Sequence, residues 1–191
     1  LFRSQDEQFR QMNRINDFHA RLMKIISRRE YLERADREYA SFSHTTKTIL
    51  ESRSLFGQHI LGAVGELIRV PPKYTAAAEV ALGSSVSYIV TDTSRSAGDV
   101  ITWLKKNNLG RTTFYPLESM RPRGNDGNER KACSEKGIHG IASELFFCDE
   151  EYGSLIDSIL GKTLIAENLD VARTVSAKYN YRLRLVTRSE E

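Results

Sequence analysis

Apolar residues in the first part of the chain return at the heptad-like spacing of a helix that has a partner. Ile15, Phe18, Leu22 and Ile25 are followed by Leu32 and Tyr39, with Arg29 and Asp36 interrupting the seam and Phe9 and Met12 in another phase. Residues 1–56 contain neither glycine nor proline and are rich in Arg, Glu, Gln, Leu and Ala, which favour helix or cost little in it. This predicts one helix over residues 1–56, about 80 Å long at 1.5 Å per residue. Its weakest stretch is 41–48, where Ser, His and Thr replace good helix formers. Such a stripe needs covering. A coiled-coil arm fits better than a surface helix or helical hairpin, because a hairpin would show turn chemistry.

From Gly57 onward the pattern changes and then repeats. Laying residue 60 on residue 138 without gaps matches Ile60 with Ile138, Gly62 with Gly140 and Glu66-Leu67 with Glu144-Leu145. Tyr74 matches Tyr152, and Leu82-Gly83 matches Leu160-Gly161. After a short deletion, Ala97 and Val100 match Ala172 and Val175. Self-similarity at a fixed offset marks a duplicated structural unit. Each half reads as strand, helix, strand, helix, strand, which implies α/β layering. In the first half the strands are expected at 63–70, 86–90 and 112–115. A helix follows Pro71-Pro72 and ends at Gly83. A second helix, capped by Ser94 or Ser96, runs to Asn108. In the second half the strands are expected at 141–148, 163–166 and 182–187, and the helices at 150–160 and 169–179. The predicted domains are an arm at 1–56, a first subdomain at 57–120, a polar flexible linker at 121–136 and a second subdomain at 137–191.

Composition narrows the chemistry. The chain has 191 residues with net charge +3, mildly basic and far short of a dedicated nucleic-acid tail. No apolar run is long enough for a membrane span, and the N-terminus lacks a signal pattern. Cys133 and Cys148 form neither a metal-type pair nor a disulfide framework, which suits a reducing cytoplasm. Gly161-Lys162-Thr163 lacks the earlier glycine of a phosphate loop, since that position is Ile156. His19, His44, His59 and His139 have no partners at metal-ligand spacing and read as polar surface. Glu66 and Glu144 repeat on matching positions, which suits a repeated structural hydrogen bond better than a catalytic pair. No catalytic, cofactor or metal site is expected. From Lys105 to Lys136, eight Lys and Arg stand against four Asp and Glu; from Gly137 onward the balance is six against nine. That is either a solvated mixed surface or a basic face on the first half and arm root that touches phosphates without reading sequence. The residues of such a face are Lys47, Arg53, Lys105, Lys106, Arg111, Arg121 and Arg123.

Two function classes fit these features: an interaction module, or a duplicated α/β ligand-binding or enzymatic domain with a helical appendage. The run Leu61-Gly62-Ala63-Val64-Gly65-Glu66-Leu67-Ile68 resembles the opening of hinge domains of bacterial structural-maintenance-of-chromosomes (SMC) proteins. So do Tyr74 with the following Ala76 to Gly83, the segment Trp103 to Leu117, and Gly140-Ile141-Ala142-Ser143-Glu144-Leu145. Leu160-Gly161 and Val186-Thr187 fit as well. The resemblance covers about residues 57–188 and places the first helix where the family has its ascending coiled coil. It implies two pseudo-equivalent subdomains per chain and a homodimer closed as a ring. It also implies ATPase heads at the far ends of the arms of full-length members, and a role in chromosome condensation and segregation at the nucleoid. SMC hinges commonly bind DNA near the coiled-coil junction, which favours the basic-face reading. The chain stops at Glu191, before the glycine-rich segment and returning helix of the family, so a weakened dimer is expected. The terminal strand of each half is the expected dimer edge: Thr112, Thr113, Phe114 and Tyr115 in one, Arg182, Leu183, Arg184, Leu185 and Val186 in the other.

Overall fold

Each half of the fold opens with a strand that a glycine distorts. The computed structural model describes residues 18, 19, 21–26, 42–122 and 127–188. The chain divides into two units, Leu1–Ser41 and Phe42–Glu191. In the smaller unit, residues 18, 19 and 21–26 are helical, and the seam positions Phe18, Leu22 and Ile25 are exposed. The other seam residues lie outside the described residues.

In the larger unit, α1 (His44–Glu51) comes first, and the expected helix over 1–56 is not continuous. Phe42 and Ser43 are non-helical, and the Ser43 hydroxyl caps α1 by accepting from the Thr46 amide at 3.3 Å. A serine in this role competes with helix continuation. After Ser52 a 3-10 segment, Arg53–His59, leads into the first sheet.

The first half then runs β1 (Ile60–Ala63), α2 (Val64–Leu67), α3 (Thr75–Leu82), β2 (Ile89–Thr91), α4 (Ser94–Asn107) and β3 (Phe114–Pro116). After α5 (Gly127–Ala132), the second half repeats it: β4 (Ile138–Ile141), α6 (Ala142–Leu145), α7 (Gly153–Leu160), β5 (Thr163–Ala166), α8 (Leu169–Lys178) and β6 (Arg184–Thr187). The sheets are ordered β1-β2-β3 and β4-β5-β6, antiparallel then parallel in both. Even the irregularity repeats. The register shifts between Ile60 and Gly62 in one half and between Ile138 and Gly140 in the other. Both glycines have φ near +150°, at +150° and +143°, a conformation side chains rarely adopt.

These glycines account for the main corrections to the expected strands. The runs at 63–70 and 141–148 are not strands. The strands end at Ala63 and Ile141, and one helical turn follows each. Beyond Ala63 and Ile141, Arg69 and Phe147 form an isolated bridge with each other. Thr93, not Ser94 or Ser96, caps α4, its side chain accepting from the Ser96 amide, and Asn108 ends the helix in the left-handed region. Thr112 and Thr113 precede β3, and Arg182 and Leu183 precede β6. The linker at 121–136 is not wholly irregular, because it carries α5, which buries Ala132 and Glu129. Residues 123–126 lie outside the described residues.

The main core lies between the halves. It joins Val64, Tyr74, Ala77, Ala78, Leu82 and Val90 to Ala142, Phe146, Tyr152, Leu155, Ile156 and Ile165. Arg69 and Phe147 are equivalent positions of the repeat, and they exchange both backbone hydrogen bonds, at 2.7 and 2.9 Å. A residue paired with its own copy marks a pseudo-twofold axis through the domain. Across that axis α3 offers the small Ala77, Ala78 and Ala81, whereas α7 offers Leu155, Ile156 and Ile159 at the same repeat positions. Large residues on one side meet small ones on the other, as close packing requires.

Candidate association edges and basic surface

Strand β3 pairs with β2 on one side, and β6 pairs with β5 on one side. Among the described residues no strand pairs with the other side of either. A strand so placed presents backbone donors and acceptors to a further strand. The parallel pairing that puts them there needs a crossover, supplied by α4 and by α8. In β3, Phe114 and Tyr115 are half-buried, and Tyr115 meets Tyr88 edge-on with ring centroids 5.5 Å apart. In β6, Val186 is buried in the main core, and Arg184 donates to the Ala81 carbonyl at 2.7 Å. That bond satisfies one of the last carbonyls of α3. Leu183 is buried with Leu164 and Val175 in the second half's own core, whereas Thr113 and Arg182 are exposed.

The expected basic residues fall into two groups. Lys105 and Lys106 are exposed in the last turn of α4, where cations suit the helix dipole. Lys105 and Arg111 line one groove of about 360 Å³ with Ile101, Leu104, Gly110, Thr112 and Phe114. The structure thus brings two of the expected DNA contacts against two of the expected edge residues. Lys47 lies half-buried on α1, and Arg53 is exposed where the 3-10 segment begins. Arg121 is exposed but donates to the carbonyls of Glu118 and Met120, at 2.8 and 2.9 Å. Arg123 lies outside the described residues.

Several polar groups behave differently from the sequence reading. Glu66 accepts from the Ala63 amide at 2.8 Å, the structural bond expected. Its repeat Glu144 instead pairs with Arg130 at 2.6 Å, so the bond is not repeated. His59 is more than polar surface, since its Nδ1 lies 2.7 Å from the Asp92 carboxylate. Hydrogen bonds from Ser96 and His59 lower the Asp92 pKa to about 2. The second half keeps the matching backbone bond, Glu167 amide to Gly137 carbonyl at 2.8 Å, but has glycine where the first has His59. Burial pushes the thiols of Cys133 and Cys148 up. Sequence reasoning missed the Arg69–Phe147 pairing, although the repeat offset contains it: it lays residue 69 on residue 147.

The fold is a duplicated α/β module in which each half ends in a strand paired on one side among the described residues. Residues 57–176 match the SMC proteins Flexible Hinge Domain, and the chain belongs to that family. It is 37% identical over 162 residues to the Chromosome partition protein Smc of Bacillus subtilis, covering 84% of this chain and 14% of that protein. It is 36% identical over 178 residues to that of Lactiplantibacillus plantarum, covering 93% and 15%. The chain therefore spans about 15% of the length of such relatives. Among solved structures, it is similar to an asymmetric dimer of the Geobacillus stearothermophilus SMC hinge domain. That similarity has a TM-score of 0.76 and 36% identity over 87% of this chain and 66% of that one. The Pyrococcus furiosus SMC hinge domain matches with a TM-score of 0.62 and 27% identity, over 85% and 81%. Among the described residues, no helix is long and apolar enough to cross a membrane.

Proposed function

We propose that the chain is the dimerisation hinge of a chromosome-organising SMC ATPase, serving chromosome condensation and segregation at the nucleoid, with no catalytic role of its own. The observation that carries this reading is the pair of one-sided terminal strands, β3 and β6, at equivalent places in the two halves. The first half of one copy meets the second half of another, and a twofold axis makes the contact twice, closing a ring. The Geobacillus stearothermophilus hinge, described as a dimer, supports self-association. The excess of basic residues from Lys105 to Lys136 and of acidic residues from Gly137 onward favours this heterotypic pairing, modestly because salt screens it.

Disulfide crosslinking tests the pairing. Cysteines replace Thr113 and Leu185 in a chain with Cys133 and Cys148 removed, and the expected product joins Thr113→Cys of one copy to Leu185→Cys of the other. Dominant linkage of Thr113→Cys to itself refutes heterotypic pairing, and a monomer at every concentration by light scattering refutes the hinge reading. As a second role we propose weak, sequence-independent DNA binding through Lys47, Arg53, Lys105, Lys106 and Arg111, with Arg121 and Arg123 assisting. It is supported by the exposure of Lys105, Lys106 and Arg111 along α4 and the loop after it.

A further inference from the structure

The two halves share their sheet order and differ in the helix that precedes the first strand. In the second half that helix is α5, whose buried residues are Glu129 and Ala132. In the first half it is α1, and two of its buried residues are threonines, Thr45 and Thr46. The Thr45 hydroxyl donates to the Leu109 carbonyl at 3.0 Å. The Thr46 hydroxyl, fully buried, donates to the Ser87 carbonyl at 2.6 Å and lies 3.4 Å from the Thr112 hydroxyl. Ser43, the cap of α1, lies 2.9 Å from the same Thr46 oxygen. Leu109 and Thr112 bound the loop from α4 into the edge strand β3.

That loop is tightly specified. Asn108 has φ +53° and Gly110 φ +89°, and the Leu109 amide donates to the Leu104 carbonyl at 3.1 Å. A Cβ on Gly110 would stand 2.6 Å from the Thr45 hydroxyl, so the backbone passes directly against α1. The same loop contributes Gly110, Arg111 and Thr112 to the groove beside β3. Two further contacts fasten the chain between α1 and β1 to α4 and to the turn between β2 and α4. Phe56 meets Trp103 edge-on, with ring centroids 5.5 Å apart, and His59 meets Asp92 at 2.7 Å.

We propose that Thr45 and Thr46 are positioning residues through which α1 sets the 109–112 loop, and with it the readiness of β3 to accept a strand from a second copy. The pairing role of β3 rests on the function proposed above. Removing the Thr45 hydroxyl leaves the Leu109 carbonyl without that donor, an unfavourable state that the loop relieves by moving away, and removing the Thr46 hydroxyl takes away both its bond to Ser87 and its approach to Thr112. Because the loop is short and ends in an edge strand, it opens locally before the domain unfolds. A change in how α1 is held then reaches the edge through two hydroxyls.

The test compares Thr45→Val with Thr46→Val, which keep shape and lose the donors, against Thr45→Ser with Thr46→Ser, which keep the donors. Amide hydrogen exchange on the dilute full chain should accelerate at least tenfold over residues 109–116 in the valine double variant. It should stay unchanged over 180–187 and return toward the parent rate in the serine variant. Dimer affinity measured by sedimentation should fall at least fivefold in the valine variant only. Unchanged exchange at 109–116, or equal acceleration in both halves, overturns the proposal. If the valine variant does not fold, Gly110→Ala presses on the same contact from the loop side and must give the same local signature. If the parent chain never self-associates, the pairing reading fails by itself, and the exchange pattern alone decides whether the threonines hold the loop.

Discussion

Replacing Leu155 by Ala tests the packing across the pseudo-twofold axis. Leu155 is fully buried on α7, in the cluster that joins the halves. Losing its three outer carbons removes about 2.4 kcal/mol of transfer free energy at about 0.8 kcal/mol per carbon. The cavity left behind raises the expected loss to about 3–5 kcal/mol. For a cooperative unit of this size that lowers Tm by about 8–15 °C. Ala77, its repeat equivalent on α3, is also fully buried, and Ala77→Leu alone overpacks the cluster at a cost of about 1–3 kcal/mol. The double variant moves the large residue to the opposite helix. Because the axis relates the two sites, part of the lost volume is refilled, and the double variant should be more stable than the sum of the single losses by about 1–2 kcal/mol. Urea unfolding of all four proteins measures the cycle. Strict additivity, or a Leu155→Ala loss below about 1 kcal/mol, would refute the claim that the two sites share one packed interface.

Gly65 and Ser143 are repeat equivalents, but a Cβ at Gly65 would lie 2.7 Å from Val86 and 2.9 Å from Phe42. Gly65→Ser should therefore lose about 1–3 kcal/mol in chemical denaturation, although the other half carries serine there. The folded pKa of Asp92, about 2, lies below its ordinary value of 3.8, so its contribution to stability is full above pH 4 and is lost as the pH falls from there toward 2. Asp92→Asn should flatten the acid limb of a Tm against pH profile over that window, and an unaltered limb excludes the His59 and Ser96 bonds as its source. Lys105→Glu with Lys106→Glu should weaken binding to random duplex DNA and reduce the steepness of its fall with salt, whereas an unchanged slope removes both lysines from the phosphate contacts.

The repeat was legible because identical residues at one offset survive any error in assigning elements. It placed the architecture, and β5 falls on the expected 163–166. The strands that open each half were not legible. Residues 60–70 form a nearly continuous apolar run, and nothing in it announces that Gly62 bends the strand and Val64–Leu67 closes one helical turn. Helix α5 has six residues, too few for a periodic signal, and sits among Gly, Asn and Asp that read as loop. The terminal strands were anticipated by asking where each half ends, and β3 and β6 lie there. Thr45 and Thr46 were not found, since threonine in a polar stretch looks like weak helix until the loop it holds is folded beside it.

The Arg69–Phe147 pairing has a consequence for how such a module comes apart. Two bodies that meet through a self-matching contact and are separate molecules part on dilution. Here a single backbone tethers them, so each sees the other at an effective concentration on the order of millimolar whatever the amount of protein. Encounters between different chains have no such tether and follow protein concentration alone. Under dilution, then, the seam inside each polypeptide outlasts any seam between polypeptides.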